Sequence, residues 1–253
     1  MPASGVAVLR RRPHVRQMAD DVSEPEQPRA RKREPIFNAP LLVTLMAVLL
    51  VGLHAATAFS SYDELILLQY EYALVPTRFW AETGAQGAYP DVASKLLTLA
   101  STSLLHGDWM HVLVNSAMLL AFGTPVARAL GSGAAGRGKW MLVFVGSVVV
   151  GSLAYLLLNA HDATAAVGAS GGTSGLVAAA FLLDRYGRVQ SPLSRGFLTM
   201  TGAFVAMNAL LTVMGPQLIG AQLAWQAHAG GYVAGALLML ALQPRGYVQG
   251  KMS

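Results

Sequence analysis

The chain of 253 residues contains no cysteine, and only 12% of its residues are charged. The lack of cysteine excludes disulfide scaffolds, zinc clusters, iron–sulfur centres and thiol nucleophiles, although it leaves the redox compartment open. Soluble domains carry about 25% charged residues. A chain with half that share and 54% hydrophobic residues is therefore typical of a protein whose main solvent is lipid.

Acidic and basic residues are absent from six apolar stretches, each close to the roughly 20 residues that cross a bilayer as a helix. The stretches are approximately 38–59, 109–127, 140–158, 167–183, 197–214 and 225–242. We therefore predict an all-α membrane protein, with a bundle of six transmembrane helices in residues 37–243. The first stretch is expected to stay in place and not to be cleaved as a signal peptide, because a long charged segment precedes it.

Positive charge is divided unevenly between the segments that connect these stretches. Sixteen of the 18 Lys and Arg residues lie on the side that holds both termini, whereas Arg78 and Lys95 lie in the outer segment 60–108. By the positive-inside rule, both termini are predicted to be cytoplasmic. Membrane topology thus accounts for the net charge of +5, and no nucleic-acid partner is predicted.

The segments outside the spans differ in composition. Residues 1–36 are rich in Arg and Pro and cannot bury a core, which predicts a disordered, basic cytoplasmic tail. Residues 244–253 are predicted to form a short cytoplasmic tail. The outer loop 60–108 contains apolar stretches and is expected to be partly embedded in the membrane interface. Tryptophans at the span ends are expected to be interfacial anchors, namely Trp109, Trp140 and Trp225.

Side chains that can carry out chemistry are few within the spans. The second span contains His111 and Asn115, four residues apart on one helix face. The fourth begins with Gly168-Ala169-Ser170-Gly171, and the sixth contains His228 near its start. In the predicted topology these three spans run from the outer face inward, so the four polar side chains are expected at one depth.

Small residues spaced four apart allow two helix backbones to approach closely. Such faces occur on the fourth and sixth spans, at Gly171, Gly175, Gly231 and Gly235. If the two faces meet, the Ser170 hydroxyl and a ring nitrogen of His228 come within hydrogen-bond reach. Histidine is the usual base for activating a serine hydroxyl, and His111, Asn115 and the Ser170 N–H are placed to stabilise an oxyanion.

These motifs resemble those of the rhomboid intramembrane serine proteases, in the same order and at similar intervals. The resemblance covers about residues 104–242 and includes the Gly168 motif, the His111–Asn115 pair and the glycines after His228. It implies a serine endopeptidase with a Ser170–His228 dyad that cleaves transmembrane-helix substrates, with His111 and Asn115 at the oxyanion. It implies no cofactor and no metal, and lateral substrate entry beside the fifth helix. The simple six-span build predicts a bacterial plasma membrane, with the site toward the extracytoplasmic side.

Two positions depart from the family pattern. The family often has Glu four residues before the Gly131-Ser132 turn, where this chain has Ala127, so a structural hydrogen bond there is expected to be absent or replaced. Many members have an aromatic residue that packs on the catalytic histidine, where this chain has Ser174. The sequence therefore does not identify what orients His228.

Several alternatives remain open from the sequence. Ser174 competes with Ser170 because Gly172-Thr173-Ser174-Gly175 repeats the motif one turn deeper, although the shallower Ser170 is easier for water to reach. Asp108 and Asp162 are candidate orienting groups on the same side. The function alternatives are a six-span transporter or channel and a catalytically inactive rhomboid-like binding protein. His14, His54 and His161 are expected to be structural or solvated. His106 is expected to order the outer loop.

Overall fold

The computed structural model describes residue 1, residues 39–218 and residues 223–242. Within these residues the regular structure is helical, with two isolated β-bridges and no strand, so the predicted all-α class is confirmed for this part of the chain. Apart from residue 1, the two predicted tails, 1–36 and 244–253, lie outside the described residues. The helices are α1 Leu41–Ala58, α2 Tyr62–Tyr72, α3 Pro76–Trp80, α4 Val92–Ser101, α5 Trp109–Leu130, α6 Ala134–Leu158, α7 Ser170–Phe181, α8 Arg195–Leu218 and α9 Trp225–Leu242.

Six of these helices occupy the six predicted spans. In the described part of the chain, three are long and apolar enough to cross a membrane, over Trp109–Leu130, Ala134–Leu158 and Arg195–Gly215. A shorter apolar helix covers Leu41–Thr57. The number of spans and the side of each terminus stay predictions.

The fourth apolar stretch forms a shorter helix than predicted. Helix α7 begins at Ser170, because Gly168 has a φ of +116°, which belongs to the region that favours glycine. The Gly168 N–H donates to the carbonyl oxygen of Thr102 at 2.9 Å, and a Cβ atom at position 168 would lie 2.5 Å from Nε2 of His111. This turn places Ser170 at the first helical position.

Trp140 is a core residue, so its predicted role as an interfacial anchor is wrong. Its side chain is 0% exposed, its Nε1–H donates to the Gly123 carbonyl at 3.0 Å, and its ring stacks on Phe144. The reason is that α6 begins at Ala134, six residues before the predicted start, so Trp140 lies in the second turn. Trp109 and Trp225 are exposed, as anchors require.

The outer segment folds into three helices and a 3-10 turn against the bundle. A capping box joins Ser61 and Glu64 at the start of α2, and Asp91 accepts a hydrogen bond from the Ser94 N–H at the start of α4. The guanidinium of Arg78 lies over the Tyr70 ring, 3.6 Å from its centroid. The depth of this outer segment relative to a membrane stays a prediction.

The turn after α5 is where the sequence predicts a structural hydrogen bond to be absent or replaced. Gly131 ends α5 with a φ of +97°, and the Arg137 guanidinium donates to the Ser132 carbonyl oxygen at 3.0 Å. A side chain from the following helix thus holds the turn four residues beyond Ala127.

Candidate active site

Helices α7 and α9 pack backbone to backbone along their glycines. A Cβ atom at Gly231 would overlap the carbonyl group of Gly171, and one at Gly235 would overlap that of Gly175. Ser170 directly precedes the first of these contacts on α7, and His228 lies three residues before it on α9. The two helix N-termini, each with its polar residue, are therefore brought to the same end of the bundle.

A cavity of about 700 Å³ lies at this end, and Ser170, His228 and His111 all line it. The other lining residues come from the ends of helices and from the segment between α6 and α7, on the outer side in the predicted topology. In the described part of the chain, no hydrogen bond joins the Ser170 hydroxyl to His228. Bonds between nucleophile and base are often long in an unliganded site and tighten when substrate binds.

Asn115 lies beside the cavity and does not line it. It is 4% exposed, and its Nδ2 donates to the His111 carbonyl oxygen at 3.0 Å. Its Oδ1 lies 3.3 Å from the Thr173 hydroxyl, whose one proton is shared with the Ser170 carbonyl oxygen at 3.2 Å. Because a carbonyl only accepts, the first bond fixes which end of the amide carries the nitrogen. The second N–H of the Asn115 side-chain amide has no hydrogen-bond partner among the described residues, and the Thr173 hydroxyl links the amide to α7.

The two competing serines have different surroundings. Ser170 is partly exposed and lines both the large cavity and a second, smaller one of about 20 Å³. Ser174 is 5% exposed and lines neither of these cavities. Ser170 therefore opens to a cavity large enough for water, and Ser174 is buried one turn deeper.

Asn208 of α8 is a residue of the site that the motifs did not reveal. Its Oδ1 lies 2.7 Å from Nδ1 of His228, and its Nδ2 donates to the Phe204 carbonyl oxygen at 2.9 Å. It is the single asparagine in the fifth apolar stretch, 197–214. A lone polar amide in a membrane helix is a signal that sequence reasoning can use.

The two carboxylates near the cavity have local partners. Asp108 caps α5 by accepting from the His111 N–H at 2.9 Å. Asp162 accepts from the Thr164 N–H at 2.8 Å, and hydrogen bonding by Thr164 holds the pKa of Asp162 below its usual range. Among the hydrogen bonds of the described residues, the His228 ring is joined to Asn208 and to neither carboxylate.

His106 supports the start of α7 from outside the cavity. Burial, and after it the neighbouring His111 and His54, lower the pKa of His106 to about 4, so its ring is neutral. Its Nε2 accepts a hydrogen bond from the Ala169 N–H at 3.4 Å. Within the described residues, no group of three or more His, Asp or Glu side chains is arranged to hold a metal ion.

Comparison with protein families is consistent with this geometry. A family model described as Rhomboid domain matches residues 93–245, more than half of the chain. The matched segment contains His111, Asn115, Ser170, Asn208 and His228. No curated protein matches the chain.

Proposed function

The chain belongs to the rhomboid family, which comprises intramembrane proteases and inactive homologues, and from this premise we propose that it is an active serine endopeptidase with Ser170 as nucleophile and His228 as base. The observation that carries this proposal is the cavity that Ser170, His228 and His111 line together, at the end of two helices that touch through their glycines. Its substrates are membrane proteins, cleaved in or beside a transmembrane helix.

In the first half of the reaction, the Ser170 Oγ attacks the carbonyl carbon of the scissile peptide bond. Nε2 of His228 takes the hydroxyl proton as the new C–O bond forms. When the C–N bond breaks, the same nitrogen returns that proton to the leaving amine. The N-terminal part of the substrate is then an ester of Ser170.

In the second half, a water molecule attacks the ester carbonyl and gives a proton to Nε2 of His228. The Ser170 oxygen leaves and recovers a proton from the imidazolium, which restores the enzyme. The cavity of about 700 Å³ supports this step, because it gives water a place next to Ser170.

The oxyanion formed in each half needs hydrogen-bond donors. We assign this role to the Ser170 N–H, to His111, which lines the cavity, and to the remaining N–H of Asn115. Gly168 assists by leaving room for the His111 ring, since a Cβ atom there would lie 2.5 Å from Nε2.

The proposed topology has six spans, cytoplasmic termini and the cavity toward the extracytoplasmic side of a bacterial plasma membrane. An apolar groove of about 580 Å³ between α8 and α9 supports lateral entry of a substrate helix. Val205 and Val213 of α8 line the groove opposite Val233 of α9. Of the three long apolar helices in the described residues, α8 is the least buried, with 6% of its most apolar 18-residue stretch inside the protein.

Labelling with a fluorophosphonate tests the proposal in detergent-solubilised protein, because this reagent phosphonylates an activated serine. We expect one labelled peptide, modified at Ser170, and no labelling of Ser170→Ala or His228→Ala. Ser174→Ala is the matched control and should label like the wild type. A label on Ser174 would overturn the choice of nucleophile. An unlabelled wild type would contradict the protease assignment and favour a transporter or an inactive binding protein.

A further inference from the structure

His228 lacks the aromatic neighbour that many rhomboids have four residues after the nucleophile, because this chain has Ser174 there. We propose that Asn208 of α8 replaces it as the positioning residue, by accepting a hydrogen bond from Nδ1–H of His228 so that Nε2 keeps its lone pair. This inference rests on the proposed function, since it gives His228 the role of base. The Nδ1 to Oδ1 distance of 2.7 Å carries it.

The direction of this hydrogen bond follows from the partners of Asn208. Only the amide nitrogen of Asn208 can donate to the Phe204 carbonyl, 2.9 Å away in the preceding turn of α8. The oxygen of the amide therefore faces His228. An oxygen that only accepts requires a proton on Nδ1, and in a neutral imidazole the unprotonated nitrogen is then Nε2. His228 needs this tautomer to act as the base, because Nε2 then has a lone pair that can take the Ser170 proton.

Helix α8 contacts α9 through residues on the same face as Asn208. Thr201 and Tyr232 share a hydrogen bond of 2.6 Å, and the Phe204 ring stacks on Tyr232 with centroids 4.3 Å apart. Thr201, Phe204 and Asn208 are spaced three and four apart, so they share one face of α8. The stacked rings, which a change at Thr201 leaves in place, set the position of the Asn208 backbone relative to His228, four residues before Tyr232.

The hydrogen bond is expected to strengthen during the reaction. When Nε2 takes the serine proton, the ring becomes an imidazolium, and a hydrogen bond from a charged donor is about twice as strong as one between neutral groups. Asn208 thus favours the charged ring without carrying a charge itself. Without this acceptor, the His228 ring is free to rotate and to carry its proton on Nε2 instead of Nδ1. Nε2 then cannot take the serine proton.

A purely structural role for Asn208 predicts different results. Interhelical hydrogen bonds in membranes contribute modestly to stability on average, and the bond between Thr201 and Tyr232 joins the same two helices. If Asn208 serves only to join α8 to α9, removing either hydrogen bond should change kcat by a similar factor. Thr201→Val is therefore the matched control for Asn208→Leu, because each replaces a polar side chain by an apolar one of similar size.

The first readout is the rate of cleavage of a single-span substrate in proteoliposomes. For Asn208→Leu we expect kcat to fall about 10- to 100-fold with KM within threefold, the range for losing one hydrogen bond to a charged group. Thr201→Val should change kcat less than threefold. Asn208→Asp keeps an accepting oxygen and should recover at least part of the loss. Equal effects of Asn208→Leu and Thr201→Val, or an unchanged kcat in Asn208→Leu, would overturn the positioning role.

The second readout does not depend on activity. Solid-state nitrogen NMR of histidine-labelled protein reports which ring nitrogen carries the proton, and the His228 signals are assigned as those lost in His228→Ala. The wild type should show Nδ1–H and Asn208→Leu should lose this preference, whereas Nε2–H in the wild type would overturn the proposal. If the wild type neither labels nor cleaves, yet shows Nδ1–H only when Asn208 is present, the protease assignment fails and the His228–Asn208 contact stands.

Discussion

Gly235 of α9 faces the backbone of Gly175 of α7 so closely that a Cβ atom at position 235 would overlap the Gly175 carbonyl group. The atoms in the way belong to the main chain, which cannot rotate aside as a long side chain does. This contact, one turn below the similar contact of Gly231 with Gly171, sets the spacing of the helices that carry His228 and Ser170.

The first prediction is that Gly235→Ala separates α7 from α9. We expect the free energy of unfolding to fall by about 1–3 kcal/mol, as for other overpacked cores, and cleavage to fall with it. Gly202→Ala in α8 is the control, because nothing lies within 4 Å of a Cβ atom there. That change should leave stability unaltered or raise it by about 0.5–1 kcal/mol, the usual gain of alanine over glycine inside a helix. Thermal unfolding in detergent measures both, and a Gly235→Ala protein as stable as the wild type would contradict this packing.

Asn115 gives the second prediction. Asn115→Ala should lower kcat by about two to three orders of magnitude if its amide donates to the oxyanion. Thr173→Val removes the hydroxyl that reaches Asn115 Oδ1 and leaves the amide in place, so its loss should be smaller, about tenfold. Initial cleavage rates at saturating substrate provide the comparison. A normal rate in Asn115→Ala would remove this residue from the oxyanion site.

The outer helices and α7 show where sequence patterns carry structural information. The Ser61-to-Glu64 spacing is a capping signal that predicts the start of α2, and it is readable without a structure. The start of α7 is harder to predict, since glycine occurs both within membrane helices and in turns. The φ of +116° at Gly168 depends on the neighbouring His111 ring and on Thr102, both distant in sequence.

Trp140 and Asn208 show what local patterns miss. Tryptophan at the edge of an apolar stretch is typical of an interfacial anchor. Because α6 begins six residues earlier than predicted, Trp140 instead lies within the helix and packs in the core, opposite Gly123. The sequence reveals that 197–214 contains a single asparagine, but its partner His228 is 20 residues away on another helix. Only the packing of α8 against α9 determines that pairing.

The apolar groove between α8 and α9 gives the third prediction. Val205→Trp places a large ring in the groove and should slow cleavage of a transmembrane substrate by about tenfold or more if substrates enter there, since the ring fills space that the entering helix needs. Fluorophosphonate labelling, which needs no entry from the lipid, should be unchanged. Leu210→Trp adds similar bulk to an exposed position of α8 that does not line the groove, and it serves as the control. Equal cleavage by both variants would argue against entry between α8 and α9.

The most direct test of the central claim is cleavage of a single-span model substrate in proteoliposomes by the wild type, Ser170→Ala and Ser174→Ala. We expect Ser170→Ala to reduce cleavage to background while its melting temperature stays close to that of the wild type, because removing one partly exposed hydroxyl leaves the core intact. Ser174→Ala should keep most of the activity. Undiminished cleavage by Ser170→Ala would contradict the account.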